Sequence, residues 1–162
     1  SDAFVGLGVL ADIQSQPIVA VRYFEHAVNL DEEHPDIRLL LAAALLKINK
    51  PQEAETQYSI VLKKDPKNKE AWEGRISNLQ QIEAHTAALE ALEQGLVIIK
   101  DNTHLLYLQF VSRFLSGSEA IALEQLEQLL THSFDNASRV FDLFPLLLDD
   151  ERIADRYSSF KP

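Results

Sequence analysis

The segment from Gly6 to Ala11 has the glycine spacing of a dinucleotide-binding fingerprint, Gly-x-Gly-x-x-Gly or Ala. In such a site a strand delivers the glycines to the N-terminus of a helix, where backbone amides bind the pyrophosphate. Here only five residues precede Gly6, and no alternation of strand and helix patterns follows. Because the segment lacks the context that this chemistry needs, we assign Gly8 to close helix packing instead.

Histidines and acidic clusters are the other candidates for chemistry. None of the five histidines lies four residues from another, so no helical His-x-x-x-His pair is available to a metal. The acidic clusters Asp31–Glu33 and Asp149–Glu151 lack the loop spacing of a calcium site. Neither a Gly-x-Ser-x-Gly elbow nor a phosphate-binding loop is present. We therefore predict a protein that is not an enzyme and that uses no metal or cofactor.

Composition restricts the class of partner. Acidic residues outnumber basic ones by 25 − 15 = 10, which argues against nucleic acid and anionic membranes. The longest apolar run, Leu39 to Leu46, has eight residues, too few for membrane insertion. Cysteine is absent, so the compartment, cytoplasmic or periplasmic, stays open. Methionine is absent as well, and we expect the chain to be an excised piece of a longer protein.

The elements that position any site are predicted to be helices. Apolar residues recur at steps of three and four, with no sustained alternation of two. Breakers divide the chain into about ten helices of 11–15 residues. Pro17 and Pro51 suit the first turn of a helix, Ser116 and Glu119 predict a capping box, and Pro145 should end or kink a helix.

A repeat of 34 residues organises these helices. Four alanines at this interval each precede an aromatic residue or leucine by four positions; the pairs are Ala20 and Phe24, Ala54 and Tyr58, Ala88 and Leu92, and Ala122 and Leu126. A helix pair of this size exposes an apolar stripe that it cannot bury alone, so successive pairs stack. The alanines are expected where two helices approach closely, with the larger side chain one turn along the same face.

This pattern resembles the tetratricopeptide repeat family, whose consensus runs Trp-x-x-Leu-Gly-x-x-Tyr, then Ala-x-x-x-Phe, then Pro. The opening Trp-x-x-Leu-Gly of the consensus is matched by Phe4, Leu7 and Gly8. The first position of the consensus is also matched by Trp72, and its final proline is matched by Pro66. The resemblance implies an all-α, right-handed α-solenoid of antiparallel helix pairs. Its units are expected at residues 1–34, 35–68, 69–102 and 103–136, followed by a degenerate C-terminal helix pair at 137–162.

The resemblance also implies a function, namely binding a polypeptide segment of another protein in a concave groove lined by the first helix of each unit. Projecting the 34-residue interval gives an apolar groove of ten residues: Val5, Val9, Leu39, Ala43, Leu46, Glu73, Ser77, Tyr107, Val111 and Phe114. An equally weighted alternative is that these side chains pack on neighbouring helices. A further alternative is a structural scaffold that stacks on itself, through the ends of the array, or on flanking repeats.

Overall fold

The computed structural model describes residues 1–160, and every regular element in that range is helical. There are ten α-helices and one 3-10 segment, Pro145–Asp149, within those residues. The α-helices are α1 (Asp2–Ile13), α2 (Pro17–Leu30), α3 (Pro35–Lys47), α4 (Pro51–Lys64), α5 (Lys69–Gln81), α6 (His85–Ile98), α7 (Thr103–Leu115), α8 (Glu119–Ser133), α9 (Asp135–Leu143) and α10 (Glu151–Phe160).

The helix boundaries follow the interval read from the sequence. The second helices of successive pairs begin at Pro17, Pro51, His85 and Glu119. The turn before each of them contains one residue with a left-handed backbone, at the same interval of 34: Ser15 (φ 58°), Asn49 (φ 59°), Glu83 (φ 59°) and Gly117 (φ 89°). The turn geometry therefore repeats even though a glycine, the residue best suited to it, occupies only the last of these four positions.

Asparagine side chains cap the starts of two helices, α5 and α7. The Asn68 side chain accepts a hydrogen bond from the Ala71 amide at 2.9 Å, and Asn102 accepts one from Leu105 at 3.1 Å. The predicted capping box at Ser116 is wrong, because its hydroxyl donates to the carbonyl of Arg113 at 3.1 Å. Its serine instead closes the end of α7, since α8 begins three residues later.

Close helix packing occurs at the repeated alanines. All four (Ala20, Ala54, Ala88 and Ala122) are fully buried, and their fourth-on partners are at most 6% exposed. In α1, a Cβ added to Gly8 would lie only 2.5 Å from the Phe24 ring. The assignment of Gly8 to close packing is therefore confirmed, and a side chain at this position would force the two helices apart.

Contacts divide the chain into two compact units, which we describe separately. Unit 1 is Ser1–Ile82 and contains α1 to α5, each packed on the next; unit 2 begins at Glu83. The division falls between the two helices assigned to the third predicted repeat. In unit 1, Arg75 joins α5 to α4 by a 2.6 Å ion pair with Glu55, and the Asn78 amide donates to the carbonyl of Pro51 at 2.9 Å.

In unit 2, helix α7 packs on α6, α8 and α9. Helix α9 ends at Leu143, as predicted from Pro145, and the 3-10 segment leads into α10. An aromatic cluster fixes α10, since the Tyr157 ring stacks on Phe134 at 5.1 Å and tilts against Phe141 at 4.7 Å. No helix within residues 1–160 has the length and apolarity to cross a bilayer.

Candidate functional site

Several residues with candidate chemistry take part in helix structure and packing. Residues 6–11 lie inside α1, without the strand that a dinucleotide site needs. Among the histidines, the His26 ring stacks on Phe4 at 5.3 Å, and the His132 Nδ1 lies 2.8 Å from the carbonyl of Gln128. Across residues 1–160, no three histidine or acidic side chains come together as metal ligands. The remaining candidate site is the surface predicted from the repeat.

Two of the predicted groove residues are core residues of unit 2. Tyr107 and Val111 are fully buried. The Tyr107 hydroxyl donates to the carbonyl of Ser133 at 3.0 Å, and burial raises the pKa of that hydroxyl well above its ordinary value. In this structure these two side chains are not accessible to a partner. They pack on neighbouring helices instead, which is the alternative given for the predicted groove residues.

The third groove residue of unit 2, Phe114, lies beneath an ion-pair cluster. The Arg152 guanidinium is 5.6 Å from the centre of the Phe114 ring, and it donates to Glu119 at 2.8 Å and to Asp150 at 2.7 Å. The hydrogen bonds from Arg152 hold the pKa of the Asp150 carboxyl below its ordinary value. Charged groups thus cover one side of this ring, which remains partly exposed.

The other seven predicted groove residues lie in unit 1, where most of them are at least partly exposed. Val9 and Ala43, which occupy the same position in successive units, are exposed. Leu39 is buried at 7% exposure, and the remaining four are partly exposed: Val5, Leu46, Glu73 and Ser77. The accessible part of the predicted surface in unit 1 therefore centres on α1 and α3.

A pocket of about 230 Å³ opens on α3, and we call it the α3 pocket. Its lining consists of Asp36, Leu39, Leu40, Ala43 and Glu70. On α3, Leu39 and Ala43 are four residues apart, as are Asp36 and Leu40, so each pair lies on one face. Glu70 comes from the first turn of α5. The pocket thus combines apolar side chains with two exposed carboxylates.

Sequence reasoning found Leu39 and Ala43 but missed three other lining residues. A signal for two of them was present, because Asp36 and Glu70 are separated by 34 residues and occupy the same repeat position. Asp36 and Glu70 lie one helical turn before Leu39 and Glu73 of the predicted groove. Applying the 34-residue interval to the positions one turn earlier would therefore have identified this acidic pair. Leu40 carried no comparable signal, since it lies within the uninterrupted apolar run of α3.

Comparison with known proteins matches part of the chain to a family model and gives the fold. A family model described as tetratricopeptide repeat matches residues 14–76, which lie in unit 1 and include the whole lining of the α3 pocket. No curated protein matches the sequence of this chain.

Solved structures similar to this chain share its fold at low sequence identity. MamA residues 41 to the end, from Desulfovibrio magneticus RS-1, has a TM-score of 0.74 and 16% identity, with 98% of this chain and 92% of that chain covered. The thermophilic tetratricopeptide protein TTC0263 from Thermus thermophilus has a TM-score of 0.69 and 16% identity, with coverages of 98% and 89%. A tetratricopeptide repeat protein from Parabacteroides merdae has a TM-score of 0.73 and 14% identity, with coverages of 98% and 71%. The predicted fold class, an all-α solenoid of helix pairs, is confirmed.

Proposed function

We propose that this chain, whose residues 14–76 match a tetratricopeptide repeat family model, is a non-catalytic interaction module that binds a polypeptide segment in the α3 pocket of unit 1. The tetratricopeptide fold mediates protein–protein interaction or scaffolding. The specific step proposed for this chain is the capture of one segment on α3. The observation that carries it is the pairing of apolar side chains with carboxylates in one open pocket.

The lining of the α3 pocket defines the chemistry of the segment. Leu40 and Ala43 offer apolar surface to a side chain of the partner, and about 25 cal/mol is gained for each Å² of apolar surface removed from water. Asp36 and Glu70 attract a basic residue next to that apolar side chain. The chain's net charge of −10 favours the approach of a cationic segment in the same way. The proposed ligand is therefore a segment with an apolar anchor beside Lys or Arg.

A display library of random peptides tests this proposal on the full chain. Peptides selected on the natural chain are expected to pair an apolar residue with Lys or Arg. These peptides should lose binding to Ala43→Arg, because the arginine fills the pocket and offsets part of the negative charge of Asp36 and Glu70. Ala120→Arg is the matched control, because Ala120 is an exposed helical alanine on α8, outside unit 1. If the selected peptides bind Ala43→Arg as tightly as the control, the α3 pocket is not their site.

The charge component has its own variants. Asp36→Asn and Glu70→Gln keep the shape of the pocket and remove its carboxylates. We expect both variants to weaken binding of the selected peptides. The affinity should also change less with salt concentration, because these variants remove the attraction between opposite charges that salt screens. Unchanged salt dependence in the double variant would leave the pocket as a purely apolar site.

A second candidate function is a structural scaffold that stacks on itself or on flanking repeats. The observation in its favour is an apolar stripe on α1 made of Ala3, Leu7 and Leu10, which we call the α1 face. Leu7 is 43% exposed and Leu10 is 50% exposed, whereas Leu41 and Ala44, one repeat interval later, are buried. Sedimentation of the natural chain separates the two functions, since stacking requires association that depends on concentration.

A further inference from the structure

The carboxylates of the α3 pocket lie at one end of it. Asp36 and Glu70 are each the second residue of their helix, α3 and α5 respectively, and both line the pocket. The starts of the two helices therefore lie at the same end of the pocket, and the two negative charges come together there. The apolar lining begins one turn further along α3, with Leu39 and Leu40, and ends at Ala43.

Helix geometry gives the distance between these two parts of the pocket. An α-helix rises about 1.5 Å per residue, so Leu39 lies about 4.5 Å and Ala43 about 10.5 Å beyond Asp36 along the axis of α3. A ligand side chain that covers this apolar lining is thus centred roughly 7 Å from the level of the carboxylates. The pocket volume of about 230 Å³ suits a single side chain, since sites for drug-sized ligands measure about 300–1,000 Å³.

The far end of the same face of α3 carries an ion pair. Lys47, four residues beyond Ala43, donates to Asp12 of α1, with its Nζ 2.6 Å from Oδ1. Since the pair has no net charge, it offers no net attraction to a cation. A basic residue of the ligand is therefore attracted to the end with Asp36 and Glu70, and the pocket has one acidic end and one apolar end.

An extended segment fits this pocket better than a helix does. A helical ligand fills a groove with several apolar side chains, at i, i+3 or i+4, and i+7, and it is about 10–12 Å wide. The apolar part of the α3 pocket has room for one such side chain, between the carboxylates and the Lys47 ion pair. An extended segment can place one apolar side chain there and a basic side chain beside it.

Strand geometry converts the distance within the pocket into a spacing in the ligand sequence. In an extended strand, side chains alternate between two faces, and the backbone rises about 3.3 Å per residue. Residues two apart share a face and lie about 6.6 Å apart, which matches the roughly 7 Å between the two parts of the pocket. Residues one or three apart point to opposite faces, and residues four apart, at roughly 13 Å, reach beyond Ala43.

We propose that the α3 pocket recognises an extended segment in which one apolar residue and a Lys or Arg are separated by a single residue, with the basic side chain at Asp36 and Glu70. This inference rests on the proposed function and deepens it, because it specifies the sequence pattern of the ligand. Either order of the two residues satisfies the pocket, since side chains two apart share a face in both chain directions.

These carboxylates also have a structural role, which the test must separate from recognition. Acidic residues in the first turn of a helix interact favourably with the helix macrodipole. Glu53 lies in the first turn of α4, outside the α3 pocket, and pairs with Lys50 at 2.7 Å. Glu53→Gln is therefore the matched control, because it removes a first-turn carboxylate without changing the pocket.

Fluorescence anisotropy of labelled peptides with the full chain measures the spacing. Starting from a peptide selected on the natural chain, variants place the basic residue one, two, three or four positions from the apolar residue. We expect the spacing of two to bind about fivefold more tightly than the others, the upper end for an exposed ion pair. The four peptides should bind alike to the double variant Asp36→Asn with Glu70→Gln, whereas Glu53→Gln should keep the preference.

The spacing inference is overturned if the four peptides bind the natural chain equally, or if a spacing of three or four binds best. It is also overturned if the double variant keeps the preference or Glu53→Gln loses it, with Trp72 fluorescence showing that unit 1 is folded in each variant. The proposed function survives these outcomes as long as the peptides lose binding to Ala43→Arg. If they bind Ala43→Arg unchanged, the α3 pocket is not their site and both proposals fail.

Discussion

Adding a single methyl group to α1 should have opposite effects at two glycines separated by one residue. A Cβ built on Gly6 has no atom within 4 Å, whereas a Cβ on Gly8 lies 2.5 Å from Phe24 Cε1, 2.7 Å from Cδ1 and 2.9 Å from Cζ. Both glycines are interior residues of the same helix. The variants Gly6→Ala and Gly8→Ala therefore share their helix propensity and differ in packing.

The magnitudes follow from these two terms. Replacing glycine by alanine inside a helix gains roughly 1 kcal/mol. Carbon atoms make favourable contact at about 3.5–4.0 Å, so the Phe24 ring or the helix must move by roughly 1 Å to admit the Gly8 methyl group. Phe24 is 2% exposed and cannot swing into solvent. Overpacking of this kind costs about 1–3 kcal/mol, and the crowding of three ring atoms places Gly8→Ala in the upper part of that range. After the helix gain of roughly 1 kcal/mol is subtracted, we expect a net loss of stability of about 1–2 kcal/mol.

Urea unfolding followed by tryptophan fluorescence measures both variants. Trp72 is the only tryptophan of the chain, and it is 3% exposed in α5, so its emission reports on unit 1. Gly6→Ala should raise the free energy of unfolding and Gly8→Ala should lower it. Combining Gly8→Ala with Phe24→Leu should recover part of the loss, because leucine lacks the ring edge. If Gly8→Ala proves as stable as Gly6→Ala, the close approach of α1 and α2 is refuted.

Three further predictions concern single side chains. Ser15→Gly should stabilise unit 1 by about 1 kcal/mol in the same urea assay, because Ser15 is exposed and held at a φ of 58°, where a Cβ is unfavourable; Ser15→Ala should bring no such gain. Burial raises the pKa of Tyr58 to about 12, so its folded form keeps a proton that the unfolded chain releases near pH 10. The contribution of Tyr58 to the free energy of unfolding is complete below pH 10 and falls by up to about 2–3 kcal/mol as the pH rises to 12. Unfolding measured across this alkaline range should show a smaller loss of stability in Tyr58→Phe. Tyr107→Phe should lower the free energy of unfolding of unit 2 by about 1 kcal/mol, read by circular dichroism, because the Ser133 carbonyl loses its donor at 3.0 Å.

The sequence by itself determined the helices and their interval. Periodicity at three and four residues, prolines at helix starts and Pro145 all act through neighbouring residues, so they are readable without a structure. The recurring pairs such as Ala20 and Phe24 also predicted which positions pack most closely, because one small and one large residue must alternate there.

Tertiary structure decided which apolar residues remain accessible. Tyr107 and Leu39 look alike in the repeat, yet the first is fully buried beside Ser133 and the second borders a pocket. Likewise, Leu7 and Leu41 occupy the same repeat position, yet Leu7 is 43% exposed whereas Leu41 is buried in α3, which packs on α2. A periodic sequence fixes the direction in which a side chain points along its helix, but exposure depends on which other helix arrives there, and that is settled by packing between residues far apart in the chain.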